Sequence, residues 1–556
     1  MTRVIVLGAG GAGLTAAIEA ASGGADVVLV TKAIYQNTSY RWASVGGCTW
    51  KTHAFNAAVA EGDSVAAHVR DTLVGGAHAN DPALAQVLCE GSRELVYWLE
   101  GIGLAFERDA ADGFATRPFG GCGTPRGVYL EDRLGYHIQR ALDVELARLV
   151  AEGRVTVLSG LRGTRLLLDA YGEVRGLEAV AVDSLQLLEV PGDAVILADG
   201  GGASMYAPTA ASMDKTCDGL ALGLESGAEA VDMEFVQFHP TGLVSDVLTF
   251  DGSLVEEAIR FDGAVLLNRH GERFMLGHDE RGERATRDVV SRGIYRELVE
   301  GRAFDDGSVH LDISACRQVI PDRYPALDER LVQAGADPRH ANTLSVRPTA
   351  HFLMGGLRIG PRAGTTVPGL YAAGESAGGV HGANRLGGNG LSEALVFGRI
   401  AGRDAAATRA GHASTDIRVT GAFRAPTGGG ESVDGVLQSL RQGMYRTAGP
   451  IRTGRGLTTM LGLISVLEER SRSIGLATGS RAAGQVQTYL DLKNLLLASE
   501  TIVEAALRRE ESRGSHYRDD FPHRAAEFEG STAVLKEGRL AWSPYRHAVA
   551  EAAVPC

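Results

Sequence analysis

Val4-Ile5-Val6-Leu7-Gly8-Ala9-Gly10-Gly11-Ala12-Gly13-Leu14-Thr15-Ala16-Ala17-Ile18 is the stretch that decides the architecture of this chain. Four β-branched or apolar residues run into a glycine loop, and Leu14 to Ala21 then carries the small and apolar residues of a buried helix. Val27 to Val30 is a second apolar strand, completing a strand–loop–helix–strand unit with G-x-G-x-x-G at Gly8, Gly10 and Gly13. In that setting the first glycines let the backbone approach a pyrophosphate, and the third lets helix and strand pack closely. The helix N-terminus adds free N–H groups and a positive dipole. A nicotinamide enzyme carries an acid for the ribose at the end of the second strand. Thr31-Lys32 follows Val30 here, so the simple NAD pattern is not met.

The rest of the chain agrees with nucleotide binding. At 556 residues it is too long for one core. Its 73 glycines are about twice the usual share and cluster in short loops after apolar runs. A net charge of -13 argues against nucleic acid and anionic lipid as partners. No apolar run reaches the roughly 18 to 20 residues that span a bilayer, so no membrane insertion is expected and the chain reads as soluble and cytoplasmic. The apolar start is too short for a signal peptide and opens a glycine loop instead. Six scattered cysteines without a C-x-x-C pair encode neither an iron–sulfur cluster nor a zinc site, so no metal is expected.

Two further nucleotide-fold fragments lie far downstream: a strand from Ala194 to Ala198 followed by Asp199-Gly200-Gly201-Gly202, and Gly369-Leu370-Tyr371-Ala372-Ala373-Gly374-Glu375. The nucleotide domain is therefore discontinuous, with a domain inserted between its parts. After the glycines at 428–430 the pattern turns helical, and Tyr489 to Arg508 reads as one amphipathic helix. The predicted fold is α/β: a discontinuous Rossmann-type domain with an inserted α+β capping domain and a C-terminal helical domain. The predicted boundaries are 1–234 and 348–428 for the nucleotide domain, 235–347 for the cap, and 429–556 for the helical domain and tail.

Five ordered motifs carry a resemblance. They are Gln237-Phe238-His239-Pro240-Thr241-Gly242, Thr286-Arg287-Asp288-Val289-Val290, Pro348-Thr349-Ala350-His351, His381-Gly382-Ala383-Asn384-Arg385-Leu386-Gly387-Gly388-Asn389, and the run from Arg509 to Arg518. The sequence resembles, nearly end to end, the flavoprotein family of fumarate reductases, succinate dehydrogenases and L-aspartate oxidases. The resemblance implies FAD and a substrate site between the FAD domain and the cap. It implies FAD contacts from Gly8, Gly10, Gly11, Ala12 and Gly13, from Thr31, Lys32, Ser39, Gly46 and Gly47, and from Ala198, Gly200, Gly201 and Asp218. Gly374, Glu375, Arg385, Gly388, Leu391 and Ser392 complete that set.

The chemistry suits these residues. Hydride transfer between a flavin and a carbon–carbon bond beside a carboxylate needs cations for the carboxylate and a proton donor on the opposite face. By resemblance His351 and Arg385 clamp one carboxylate, Arg385 bidentately, while His239 contacts the other end. Arg287 is the acid/base, fed by a relay through Glu257 and Arg260. Glu257 and Arg260, three apart, share one face of a turn.

Four departures matter. Tyr40 takes the place of the histidine that bonds covalently to flavin in succinate dehydrogenases, so the FAD is expected to be non-covalent. Phe119 takes the place of the glutamate that holds the substrate ammonium in aspartate oxidases, which makes an aspartate-oxidase-like enzyme the second reading. Glu256 replaces the threonine of the family's Thr-Glu pair, and Val45 replaces the glutamine before Gly46. Both changes put plain succinate or fumarate in doubt. A flavoprotein subunit of a larger electron-transfer complex is the third reading. It would need an electron acceptor or iron–sulfur partner that the sequence does not identify.

Overall fold

The structure is a computed structural model that describes residues 1–33, 49, 51–409, 411, 416–426, 428–476, 482–529, 531–536 and 538–544. Ser39, Tyr40, Val45, Gly46 and Gly47 lie outside the described residues.

Arg3–Leu7 and Asp26–Thr31 pair in parallel, with the Gly11–Ser22 helix between them. Ala194–Leu197 and Leu370–Ala372 extend the sheet on one side and Val155–Ser159 on the other, all in parallel. The three fragments that the sequence scatters thus meet in one five-stranded sheet. Its central strands are apolar over residues 4–7, 27–30 and 194–197 because helices cover the sheet. Gly8 has φ +105°, and a Cβ there would lie 2.4 Å from the carbonyl oxygen of Ala198. A Cβ at Gly13 would meet the Gly8 carbonyl oxygen at 1.9 Å, so only glycine permits this helix to pack so near the loop.

The segment between these fragments builds its own antiparallel sheet, in the order Val236–Leu243, Thr343–Leu353, Val309–Asp312, Val265–Leu267. Leu243, Val255, Ile259, Leu266, Val290, Ile294, Leu311 and Leu344 form a core separate from the main one. The Arg287–Val299 helix packs across this sheet, with the Ser291 hydroxyl donating to the Phe238 carbonyl at 2.8 Å.

The C-terminal part carries three long helices, Val433–Thr447, Gly454–Arg472 and Ala482–Arg508. The last begins before the Tyr489 start read from periodicity and ends at the same Arg508. Beyond it, Ser531–Lys536 and Arg539–Pro544 form a hairpin that joins Ala230–Val231 in a second sheet. That return to residues far upstream has no local signal in the sequence. Among the described residues no helix is long and apolar enough to cross a membrane, and no cluster of three or more His, Cys, Asp or Glu has metal-binding form.

Candidate functional site

A single cleft runs from the glycine loop at Gly8 to the facing surface of the inserted segment. Its nucleotide end begins where Gly10 precedes the Gly11–Ser22 helix without a side-chain cap; the Gly11 N–H donates to the Thr49 hydroxyl at 3.2 Å, and the Ala12 and Gly13 N–H groups of the first turn follow it. Gly8, Gly10, Gly11, Ala12, Thr31, Lys32, Ala198, Gly200, Asp218, Gly374, Glu375, Gly388 and Leu391 all line it. Three other predicted FAD residues do not. Gly13 is packed against Gly8, a Cβ at Gly201 would meet the Glu375 carboxylate at 2.3 Å, and the Ser392 hydroxyl donates to the Asn56 carbonyl at 2.9 Å. Ser392 thus supports the start of the Asn389–Ala406 helix from behind.

Asp218 organises the charges here. It receives Arg162 at 2.5 Å, Lys32 at 3.0 Å and the Asn494 amide at 2.8 Å. Burial opposes its ionisation, but Arg162 and Lys32 outweigh that and hold its carboxyl below the usual range. Nearby Asp199 is pushed up to about 6 by burial and by the Asp218 charge. Arg162, also paired with Asp491 at 2.8 Å, ties the last long helix to the nucleotide end. Lys215 pairs with Glu375, whose carboxylate also accepts from the Leu353 N–H at 3.1 Å.

The other end of the cleft is cationic. Arg287 Nε donates to Glu257 Oε2 at 2.6 Å, and Arg287 Nη1 reaches Gln237 Oε1 at 3.4 Å. The same Gln237 oxygen accepts from Arg385 Nη2 at 2.9 Å, while the Gln237 amide donates to the Arg385 carbonyl at 2.7 Å. One carboxamide therefore sets the spacing of two guanidinium groups. Arg385 lies 4.5 Å above the Phe352 ring, its Nε is buried without a partner, and burial followed by the Arg287 charge lowers it to about 9. A buried cation with an unused donor is built for an anion.

His239 and His351 stand with ring centroids 5.7 Å apart. Burial first, then the adjoining arginines, holds both well below the usual histidine range, so both are neutral near pH 7. The Thr241 N–H approaches His239 Nδ1 at 3.4 Å.

Behind Arg287, Glu257 Oε1 also accepts from the Gly120 N–H at 3.0 Å and lies 3.9 Å from Arg260 Nη2. Burial raises the cost of this charge, but Arg287 and Arg260 prevail and bring Glu257 down to about 2. Arg260 does not line the cleft; it is buried behind Glu257 and anchored on the Glu283 carbonyl at 2.6 Å. Its Nε and Nη2 have no hydrogen-bond partner, and burial lowers it from its ordinary value. Phe119 and Glu256 both line the cleft. Glu256 is half-buried and pairs with Arg330 at 2.7 Å. His381 turns away from the cleft to Glu393, 3.0 Å off.

Gln237, His53 and Arg330 belong to this constellation and were not singled out by sequence. Gln237 opens a quoted motif, and a carboxamide beside His239 was the available signal. His53 and Arg330 sit in no motif; only the folded chain brings them to the cleft end.

Residues 3–391 match the family described as FAD binding domain, and residues 437–549 match the one described as fumarate reductase flavoprotein C-term. The chain is 36% identical over 541 residues to a protein of the CoM/CoB fumarate reductase of Methanothermobacter marburgensis, covering 96% of this chain and 97% of that one. It is 38% identical over 527 residues to the L-aspartate oxidase of Caulobacter vibrioides, covering 93% of each. A mutant FrdA chain of E. coli quinol fumarate reductase superposes with a TM-score of 0.87 at 26% identity, covering 98% of this chain and 96% of that one. With an open helix N-terminus and a glycine cradle facing an arginine-lined cavity, the chain belongs to the family of FAD-dependent fumarate reductase, succinate dehydrogenase and L-aspartate oxidase flavoproteins.

Proposed function

We propose that this enzyme moves a hydride between flavin N5 and a small carboxylic acid across a CH–CH bond, with the substrate carboxylate held by His351 and Arg385. FAD, when bound, supplies the two-electron chemistry. Gly8, Gly10 and the first turn of the Gly11–Ser22 helix would hold its pyrophosphate, and the Asp218 cluster would set the charges beside it. Arg385 neutralises the carboxylate through its unused Nε, and neutral His351 donates a hydrogen bond without adding another charge to a crowded cationic cavity. Arg287 delivers a proton from a terminal nitrogen and regains one at a terminal nitrogen, with Glu257, held by the Arg287 Nε–H, as the carrier and Arg260 behind it as the next donor. Arginine needs such a relay because it does not otherwise release a proton at neutral pH.

The observation that carries this reading is the shared Gln237 oxygen. It joins Arg287 and Arg385 side by side at one end of the cleft, which supports a carboxylate anchored on one with its reacting carbon beside the other. The test is anaerobic mixing of the FAD-reduced enzyme with fumarate and substituted fumarates, following flavin reoxidation. Reoxidation by at least one unsaturated acid is expected, and a panel with no response would refute the reading.

The 38% identity to an L-aspartate oxidase supports a second reading, oxidation of an amino acid to an imino acid. Phe119, buried at the cleft, offers no carboxylate to a substrate ammonium. Anaerobic flavin reduction by aspartate, with none by fumarate-derived acids, would select it. Delivery of electrons to or from a partner protein, non-covalent FAD and a cytoplasmic location complete the proposal.

A further inference from the structure

The two ends of the substrate cavity have opposite unmet needs. Beside Arg385 there is an unused donor, as described above. Around Glu256 there is an unused acceptor. Glu256 Oε1 accepts from Arg330 Nη2 at 2.7 Å, and Arg330 is itself fixed on the Leu254 carbonyl at 2.7 Å. Glu256 Oε2 is buried with no hydrogen-bond partner. His53 Nε2 is also buried and unpartnered, and its ring stands 6.0 Å from that of Phe119.

These two groups share one end of the cleft. Glu256 precedes Glu257, whose Oε2 holds Arg287, and Arg287 shares Gln237 Oε1 with Arg385, so Arg287 stands between Glu256 and Arg385 along this chain of contacts. Burial holds His53 below its usual range, which keeps its ring neutral. Arg117 does not line the cleft: its guanidinium lies 3.9 Å over the Tyr129 ring, with Nη1 buried and unpartnered away from the cleft lining.

An ionised carboxylate only accepts hydrogen bonds. A substrate whose far end is a second carboxylate would set acceptor against acceptor, leaving Glu256 Oε2 unpaired and out of water. We propose that the far end of the cavity takes a hydrogen-bond donor such as a carboxamide, with Glu256 Oε2 as its acceptor, so the substrate is the monoamide or a related donor-bearing analogue of a dicarboxylic acid. Because Arg330 already balances the Glu256 charge, a neutral donor suffices. This inference rests on the proposed anchoring of the other end by His351 and Arg385.

The test uses the FAD-loaded enzyme, titrated with succinate and with succinamate, its monoamide, while the flavin absorbance is followed. Succinamate is expected to bind at least about tenfold more tightly, the loss that an unpaired buried acceptor brings to succinate. Glu256→Gln supplies an amide of the same shape that can donate to a carboxylate, and it is expected to bring the two affinities within about threefold. Succinate binding as tightly as succinamate to the unaltered enzyme overturns the inference while leaving the carboxylate anchor standing. A preference that Glu256→Gln leaves unchanged also overturns it. If neither compound perturbs the flavin, the anchoring by His351 and Arg385 falls, and this inference with it. The comparison on the unaltered enzyme needs no variant to fold.

Discussion

Replacing Arg287 separates chemistry from scaffold. Arg287→Lys keeps one positive charge but replaces a planar fork with a point charge. One ammonium cannot donate in plane to Glu257, now at 2.6 Å from Nε, and also reach Gln237 Oε1, now at 3.4 Å from Nη1. Arg287→Gln removes the proposed proton source altogether. A positioned acid–base group contributes about a hundredfold to ten-thousandfold, which is roughly 3 to 5 kcal/mol of barrier. Turnover should fall by that factor in Arg287→Gln, and by somewhat less in Arg287→Lys. The scaffold also pays, since Glu257 is fully buried and loses its shortest partner. Breaking a buried pair on one side costs about 3 to 5 kcal/mol, reduced here because Arg260 and the Gly120 N–H remain beside Glu257. FAD should stay, because no contact of Arg287 touches the glycine loop or the Asp218 cluster. The assay is single-turnover flavin reoxidation by the best substrate, with FAD content and a thermal melt measured on the same samples. An Arg287→Gln enzyme with full FAD and a rate within about threefold of the unaltered one, far below the acid–base range, would remove Arg287 from the proton path.

Acid or heat precipitation should release the yellow FAD into the supernatant, since Tyr40 stands where the family's linking histidine would be; flavin fluorescence retained on the denatured polypeptide would contradict this. Asp218→Ala leaves Arg162 and Lys32 without their shared carboxylate, so FAD titration of the apoprotein should show affinity at least about tenfold weaker, an expectation scaled to a lost charged hydrogen bond. Glu257 falls from an ordinary 4.5 to about 2 in the fold, so its contribution to stability, roughly 3 kcal/mol, is present above about pH 4.5 and lost as pH falls toward 2. Urea midpoints should therefore drop more steeply between pH 5 and 3 for the unaltered enzyme than for Glu257→Gln, and equal slopes would refute that assignment.

The nucleotide end was legible in sequence because its signals are local. A strand, a glycine loop and a helix follow each other within 22 residues, and the two remote strands each end in glycine and an acid. The joining of Val155–Ser159 to the same sheet and the return of the C-terminal hairpin to Ala230–Val231 were not legible, since strand partners far apart in sequence leave no periodic trace. At the substrate end, His239, Arg287, His351 and Arg385 came from motifs. Glu256 stood out only because an acid sits where a hydroxyl was expected, and its neutraliser could not be read. Arg330 comes from the Pro325–Gln333 helix, 74 residues on, and any exposed helix carries arginines of that kind.

The site's charges form one unit, and this governs how its residues can be probed. Arg287 and Arg385 share the Gln237 oxygen, and Arg260 stands behind Glu257, so three cations gather about Gln237 and one buried carboxylate. Glu257 is what makes that density tolerable, and the neutral histidines are its counterpart: were His239 or His351 charged, a fourth cation would join the three arginines. In the proposed reaction the substrate carboxylate brings a further anion. Binding it should raise the proton affinity of Arg385, which burial and Arg287 depress in the empty site, and strengthen the grip of Glu257 on Arg287 by relieving competition for its charge. Substitutions within this group will therefore couple rather than add, as expected for residues in one hydrogen-bonded network. A double change of Gln237 and Arg385 should cost less than the two single changes together, because either one alone already frees the two guanidinium groups from their common oxygen.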